Sequence, residues 1–207
     1  QTKKLYEKAI SLAGLTGNER VLDAYCGIGT IGLIASRDAR EVISVELNPD
    51  AVRDAVTNAK RNQIKNVSFY QNDAGAFMVS MAEKGEKADI VFMDPPRAGS
   101  DEAFLSSVVT LSPKKVVYVS CNPETLARDL RYLTKHGYKA EEAWGYDMFA
   151  WSEHVESIVL LSKLKSNKLK HINVELEMDE LDLMAAESKA IYAEVKDYVS
   201  EAKRIES

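Results

Sequence analysis

Residues 21–32 have the sequence VLDAYCGIGTIG, an apolar run that leads into glycines at positions 27, 29 and 32. The run predicts a buried strand over residues 20–25, and the residues after the glycines predict a helix that ends near residue 36. A strand, a glycine turn and a helix in this order are typical of an open α/β sheet. Gly27 and Gly29 would let backbone amides approach a ligand at the carboxyl end of the strand.

The rest of the chain, to about residue 163, repeats this alternation. Further strands are predicted at residues 41–46, 67–70, 89–93, 115–119, 138–148 and 155–161. Helices are predicted at residues 3–13, from Pro49, and at 74–81, 102–109 and 124–135. Strands that alternate with helices indicate a mostly parallel α/β sheet covered on both faces. The last two strands lack an intervening helix, so we expect a seven-stranded Rossmann-like sheet with an antiparallel hairpin at one edge.

The composition limits the function classes. Two cysteines, Cys26 and Cys121, and three histidines without metal spacing argue against disulfides and a metal site. The net charge of -5 argues against a strong hold on a polyanion by this chain alone. No apolar stretch reaches membrane-spanning length and no signal peptide opens the chain, so a cytoplasmic location is the default expectation.

Acidic residues follow two further strands and favour a nucleoside ligand. Glu46 could accept hydrogen bonds from two ribose hydroxyls, and Asp73 could accept from an adenine amino group or cap the helix after it. The glycine turn suits a dinucleotide or S-adenosylmethionine (SAM) equally well. The acidic Asp23 before the turn, with no phosphate to cradle, tilts the prediction toward SAM.

The sequence Asp94-Pro95-Pro96-Arg97-Ala98-Gly99 follows another predicted strand. A carboxylate held by two prolines and followed by a cation can form a rigid hydrogen-bonding platform for a nucleobase edge. A plain turn is the simpler alternative. Asp-Pro-Pro also occurs in amino-methyltransferases that act on adenine or glutamine.

A cysteine distinguishes these possibilities. Cys121 comes directly after the apolar strand 115–119 and before Asn122-Pro123, where a helix N-terminus is expected to lower its pKa. Cys26, in the glycine turn, is expected to pack beneath the loop. A thiolate that adds to carbon 6 of uracil activates carbon 5 for methylation, and a base must then remove the carbon 5 proton. The candidate bases are Glu153, His154 and Glu156, with Glu156 preferred if Val155 faces the core.

Together these motifs resemble the SAM-dependent RNA uracil-5-methyltransferases, which act on ribosomal or transfer RNA. The resemblance covers about residues 1–163, and its most specific part is SCNPETLARD at residues 120–129. It implies a class I SAM methyltransferase fold, Cys121 as nucleophile, Glu156 as base, Asp94 as a group that contacts uracil, and Arg97 as positioning support. It also implies that Tyr25, Gly27, Glu46 and Asp73 surround SAM, and we expect Gly29 and Asp94 to contribute to the same cofactor site. Bacterial members that modify ribosomal RNA are the most similar.

We therefore expect a SAM-dependent catalytic domain over residues 1–164, followed by a linker and an amphipathic helix over residues 165–207. The resemblance implies an N-terminal RNA-binding domain that this sequence lacks, and we expect a monomer. An amino-methyltransferase and a non-catalytic RNA-binding module with SAM affinity are the alternatives. A NAD oxidoreductase is a less favoured alternative, because no acid or base residue is placed for hydride transfer.

Overall fold

The computed structural model describes residues 2–148 and 155–164. Helices and strands alternate along these residues in the order α1 (Thr2–Ala13), β1 (Arg20–Ala24), α2 (Thr30–Ala35), β2 (Glu41–Glu46), α3 (Pro49–Arg61), β3 (Val67–Gln71), α4 (Ala74–Glu83), β4 (Ile90–Met93), α5 (Glu102–Leu111), β5 (Lys115–Ser120), α6 (Pro123–Lys135), β6 (Tyr138–Asp147) and β7 (Val155–Lys163).

The strands form one seven-stranded sheet in the order β3-β2-β1-β4-β5-β7-β6. The first five strands in the chain pair in parallel. The last strand, β7, is antiparallel to both β5 and β6. The predicted α/β class, the strand number and the antiparallel edge hairpin are therefore confirmed.

Proline and glycine account for several boundaries. β4 ends directly before Asp94-Pro95-Pro96, because neither proline can donate a hydrogen bond to a neighbouring strand. α6 begins at Pro123, and the side chain of the N-cap residue Asn122 accepts from the amide of Glu124. Each boundary follows from local chemistry, which is why the predicted ends differ little from the observed ones.

The two faces of the sheet bury separate cores, and their alternation decides where side chains point. Val117 and Val119 of β5 pack in the core that includes Leu5 of α1, whereas Tyr118 packs in the opposite core with Leu126 of α6. Successive side chains of a strand alternate between faces. The helices α1 and α6 thus cover opposite faces of the same strand, next to residues 120–122.

Some expectations concern other parts of the chain. The predicted linker and helix of residues 165–207, and the candidate bases Glu153 and His154, lie outside the described residues. Within residues 2–148 and 155–164, no helix has the length and apolar character needed to cross a membrane.

Candidate active site

Cys121 lies in a short, hydrogen-bonded turn between β5 and α6. The hydroxyl of Ser120 accepts from the amide of Asn122 at 3.1 Å and donates to the carbonyl of Asn122 at 3.0 Å. These bonds join the residues directly before and after Cys121, and the Cys121 side chain is half-buried. The structure therefore holds the thiol at the carboxyl edge of the parallel strands, where open α/β sheets bind their ligands.

Glu156 is brought to this thiol by the pairing of β5 with β7. Val119 pairs with Ile158, and Ser120 pairs with Ser157, in an antiparallel register. Cys121 and Glu156 are the next residues beyond the last pair, and they are close enough for the charge of Glu156 to raise the pKa of Cys121. The predicted nucleophile and the predicted base are thus neighbours.

Asp94, at the end of β4, meets a side chain that sequence reasoning missed. The hydroxyl of Tyr6, in α1, donates to Oδ2 of Asp94 over 3.5 Å. Burial, and then the carboxylates of Asp94 and Glu156, raise the pKa of Tyr6 to about 12, so the hydroxyl stays protonated. The signal in the sequence is weak, because Tyr6 occupies an ordinary position in an amphipathic helix.

The carboxyl group of Asp94 is itself perturbed. Burial, followed by repulsion from Glu156, raises its pKa to about 6, and the hydrogen bond from Tyr6 opposes this rise. Asp94 and Glu156 therefore influence one another, which is consistent with a single site formed by the ends of β4, β5 and β7.

The pKa of Cys121 changes in the direction opposite to the prediction. Burial raises it, repulsion from Glu156 and Asp94 raises it further, and Arg97 and a backbone hydrogen bond lower it only in part. The start of α6 was expected to lower this pKa. That expectation is wrong here because the thiol precedes the N-cap Asn122 and lies beside two carboxylates.

The loop after β4 is fastened to the start of α6. The side-chain amide of Asn122 donates to the carbonyl of Arg97 at 3.2 Å, and the Thr125 hydroxyl donates to the same carbonyl at 3.4 Å. The guanidinium of Arg128 donates to the carbonyls of Ala98 and Ser100 at 3.1 and 2.8 Å. Residues 97–100 therefore follow the position of the helix that begins directly after Cys121.

The glycine turn lies at the same edge of the sheet. Its backbone is held by Glu46, which accepts from the amide of Gly27 at 3.0 Å and from the amide of Asn48 at 2.8 Å. Gly27 and Gly29 adopt φ of 53° and 86°, a region that favours glycine. A Cβ built on Gly27 would meet no atom of the described residues within 4 Å. The turn therefore leaves open space beside Glu46.

Tyr25 enters this turn with a left-handed backbone, φ 63°, which is uncommon for a residue with a side chain. Its ring packs against that of Phe104 with centroids 4.7 Å apart. Burial raises the pKa of Tyr25 to about 12. The ring is half-buried at the carboxyl end of β1, so this unusual backbone lies at the edge where the ligand is predicted.

Two acidic residues have structural partners. Asp73 is the N-cap of α4, and its Oδ1 accepts from the amide of Ala76 at 2.8 Å, the alternative that the sequence left open. Asp23 is 1% exposed and accepts from the amide of Gly32 at 2.8 Å. Asp23 thus stabilises the first turn of α2. Because it has this structural role, its presence no longer favours SAM over a dinucleotide. Cys26 is buried beneath the turn, as expected.

A comparison with protein families decides the classification. The model of the family described as tRNA (Uracil-5-)-methyltransferase matches residues 2–164. The chain belongs to this family. The uracil-5-methyltransferase resemblance and the methyltransferase fold expected from the sequence are thereby confirmed.

Similar proteins support the family assignment. The chain is 48% identical to an uncharacterized RNA methyltransferase from Halalkalibacterium halodurans over 78% of this chain and 35% of that protein. It is 48% identical to another from Caldanaerobacter subterraneus, over 79% of this chain and 36% of that protein. The chain thus spans about a third of the length of the curated relatives it matches.

Solved structures show the same architecture. The Pyrococcus abyssi tRNA (uracil-54, C5)-methyltransferase, in complex with S-adenosyl-L-homocysteine, superposes with a TM-score of 0.64 and is 31% identical, over 76% of this chain and 37% of that one. The N-methyltransferase NodS from Bradyrhizobium japonicum superposes with a TM-score of 0.64 at 14% identity, over 79% of this chain and 97% of that one. The second likeness concerns the fold alone.

Proposed function

We propose that the protein transfers a methyl group from SAM to carbon 5 of a uridine in RNA, with Cys121 as the nucleophile and Glu156 as the base. The observation that carries this proposal is that the β5–β7 pairing ends at Ser120 and Ser157, next to Cys121 and Glu156, and that Glu156 acts on the pKa of the Cys121 thiol. A uracil-5-methyltransferase needs a thiol and a base on the same pyrimidine ring. Family membership supports the same reaction.

SAM would fit at the carboxyl ends of β1 and its neighbouring strands. The open space over Gly27 would admit a ligand close to the backbone, and Gly29 keeps the turn tight. Each carboxylate oxygen has two lone pairs, so Glu46 can accept ribose hydroxyls in addition to its two amide partners. Tyr25, Asp73 and Asp94 would complete the binding site. The bound cofactor supplies an electrophilic methyl group on a sulfonium.

The protein side chains would handle the electrons and the proton. The Cys121 thiolate forms a bond to carbon 6 of uracil, and the displaced electron pair moves onto carbon 5 and oxygen 4 as an enolate. After carbon 5 has gained the methyl group, the Glu156 carboxylate removes the remaining carbon 5 proton. The carbon–sulfur bond then breaks and the thiolate returns to its starting state.

Asp94 and Arg97 would hold the uracil ring. An ionised Asp94 accepts a hydrogen bond from the N3–H of uracil, and this role requires a pH above its raised pKa of about 6. Arg97 partly offsets the raised pKa of Cys121. The positive charge of a sulfonium bound beside Asp94 and Glu156 would further reduce their repulsion of the thiolate. The Cys121 thiolate would therefore form most readily when SAM is bound.

RNA is the proposed macromolecular substrate, with ribosomal RNA favoured over transfer RNA by the resemblance to bacterial ribosomal RNA enzymes. Because the net charge of -5 disfavours a strong hold on RNA by this chain alone, we propose that a separate basic module aids RNA binding. We further propose that residues 1–164 form the catalytic domain, that the enzyme acts as a monomer, and that it works in the cytoplasm.

The test is to map 5-methyluridine in the RNA of a strain that lacks the gene and of the same strain complemented with wild type or Cys121→Ala. We expect one or more 5-methyluridines to disappear, wild type to restore them, and Cys121→Ala not to. An amino-methyltransferase would instead retain its activity without Cys121. A non-catalytic RNA-binding module would leave every 5-methyluridine in place.

A further inference from the structure

An ion pair on α6, between the exposed Arg128 and the buried Asp129, fastens the loop that carries Asp94 and Arg97. Asp129 is 0% exposed, although it lies in the same helical stripe as the buried Leu126 and Leu133. A carboxylate in such a position is costly unless it is paired and hydrogen-bonded. Its partners therefore indicate what it does.

Asp129 binds one backbone group and two side chains. Its Oδ2 accepts from the amide of Ser100 at 2.8 Å and from the hydroxyl of Tyr118 at 2.6 Å. Its Oδ1 accepts from Nε of Arg128 at 2.8 Å. Burial and the hydrogen bond to Asp129 raise the pKa of Tyr118, so this hydroxyl remains a donor.

The close approach of loop and helix has left no room for a side chain at Gly99. This residue has φ of 73°, and a Cβ there would lie 2.7 Å from Nη2 of Arg128 and 2.9 Å from Oδ2 of Asp129. The backbone of residues 98–100 is thus in direct contact with the two charged side chains.

We infer that Arg128 and Asp129 are positioning residues that set the Asp94–Arg97 platform relative to the Cys121 thiol. The link is direct in the chain, because Cys121 lies two residues before Pro123, the first residue of α6, and the same helix carries both charged groups. The inference rests on the proposed function, because it assumes that Asp94 and Arg97 hold a uracil while Cys121 attacks it.

Arg128→Gln is the informative change, because Arg128 is exposed and Asp129 would keep its bonds from Ser100 and Tyr118, so the fold should be disturbed less than by a change at the buried Asp129. Lys135→Gln, an exposed site in the last turn of the same helix, removes the same charge and is the matched control. Arg128→Lys keeps the charge but has a single amine in place of the guanidinium fork.

The experiment measures the rate at which the full-length enzyme forms a covalent adduct with RNA containing 5-fluorouridine, together with SAM affinity and the thermal midpoint. We expect Arg128→Gln to slow adduct formation roughly ten- to hundredfold, since displacements of about 1 Å have such effects. SAM affinity and the KM for SAM should match those of Lys135→Gln, and Arg128→Lys should recover part of the rate.

Equal adduct rates in Arg128→Gln and Lys135→Gln would overturn the inference, whatever the thermal midpoint does. A parallel loss of SAM affinity would also overturn it, because the role would then be a general support of the fold. Failure of wild type to form any adduct would instead contradict the proposed function.

Discussion

Cys121 and Glu156 are 35 positions apart in the sequence, and the antiparallel pairing of β5 with β7 brings them together. The pair combines the proposed nucleophile with a carboxylate that disfavours ionisation of the thiol. This relationship can be measured without any RNA, through the reactivity of the thiol itself.

The first prediction concerns alkylation of Cys121 by iodoacetamide. Only the thiolate reacts, and Glu156 raises the pKa of Cys121, so Glu156→Gln should accelerate alkylation several-fold near neutral pH. Arg97→Gln should slow it. The reaction of wild type should continue to accelerate as the pH rises beyond about 8.5, the usual cysteine pKa. Cys121→Ala reports the background from the buried Cys26. An unchanged alkylation rate in Glu156→Gln would contradict the proximity of Glu156 to the Cys121 thiol.

A second prediction separates cofactor binding from backbone strain. Gly27 and Gly85 both have positive φ and open space at a built Cβ. Gly27→Ala and Gly85→Ala should therefore each cost about 1–2 kcal/mol of stability, measured by denaturant unfolding. Gly27→Ala alone should weaken SAM binding in a calorimetric titration, because its methyl group would enter the proposed cofactor space. Equal SAM affinity in the two variants would remove the glycine turn from the cofactor site.

The third prediction is a pH dependence of stability. Burial raises the pKa of Asp23 to about 7 in the folded protein, whereas an unfolded aspartate has a pKa of about 3.9. Between these values the folded state holds more protons, so this group's contribution to stability is lost as the pH rises toward 7. Asp23→Asn should therefore reduce the fall in the free energy of unfolding across this pH range by a few kcal/mol. Asp38→Asn, at an exposed site, is the control and should retain the wild-type slope.

A fourth prediction addresses the base. Glu156→Gln should methylate a uridine RNA once and then remain covalently attached to it, because no carboxylate removes the carbon 5 proton. The attached RNA is detected as a shifted band on a denaturing gel. Glu83→Gln, an exposed change in the last turn of α4, should turn over normally. Release of methylated RNA by Glu156→Gln at the wild-type rate would exclude Glu156 as the base.

Much of the fold was predictable because its boundaries depend on local chemistry. Glycines after β1, the two prolines after β4 and Asn122-Pro123 before α6 each end or start an element without help from distant residues. The positions of Asp94 and Cys121 at one edge of a parallel sheet follow from the same reasoning.

The electrostatics of the site could not be predicted in this way. The pKa of Cys121 depends on carboxylates that β4 and β7 bring to it, and neither strand is close in the sequence. The helix start was the visible feature, and it gave the wrong direction. Asp129 did leave a signal, since a charged residue within the apolar stripe of α6 requires a buried partner. Tyr6 left no such signal.

The most direct measurement uses RNA containing 5-fluorouridine, in which the fluorine at carbon 5 replaces the proton that the base would remove. We expect wild-type protein with SAM to accumulate a stable protein–RNA adduct that carries one added methyl group, and peptide mass spectrometry to find the RNA on Cys121. Cys121→Ala should form none. An adduct of equal yield in Cys121→Ala, or one attached to another residue, would contradict the account.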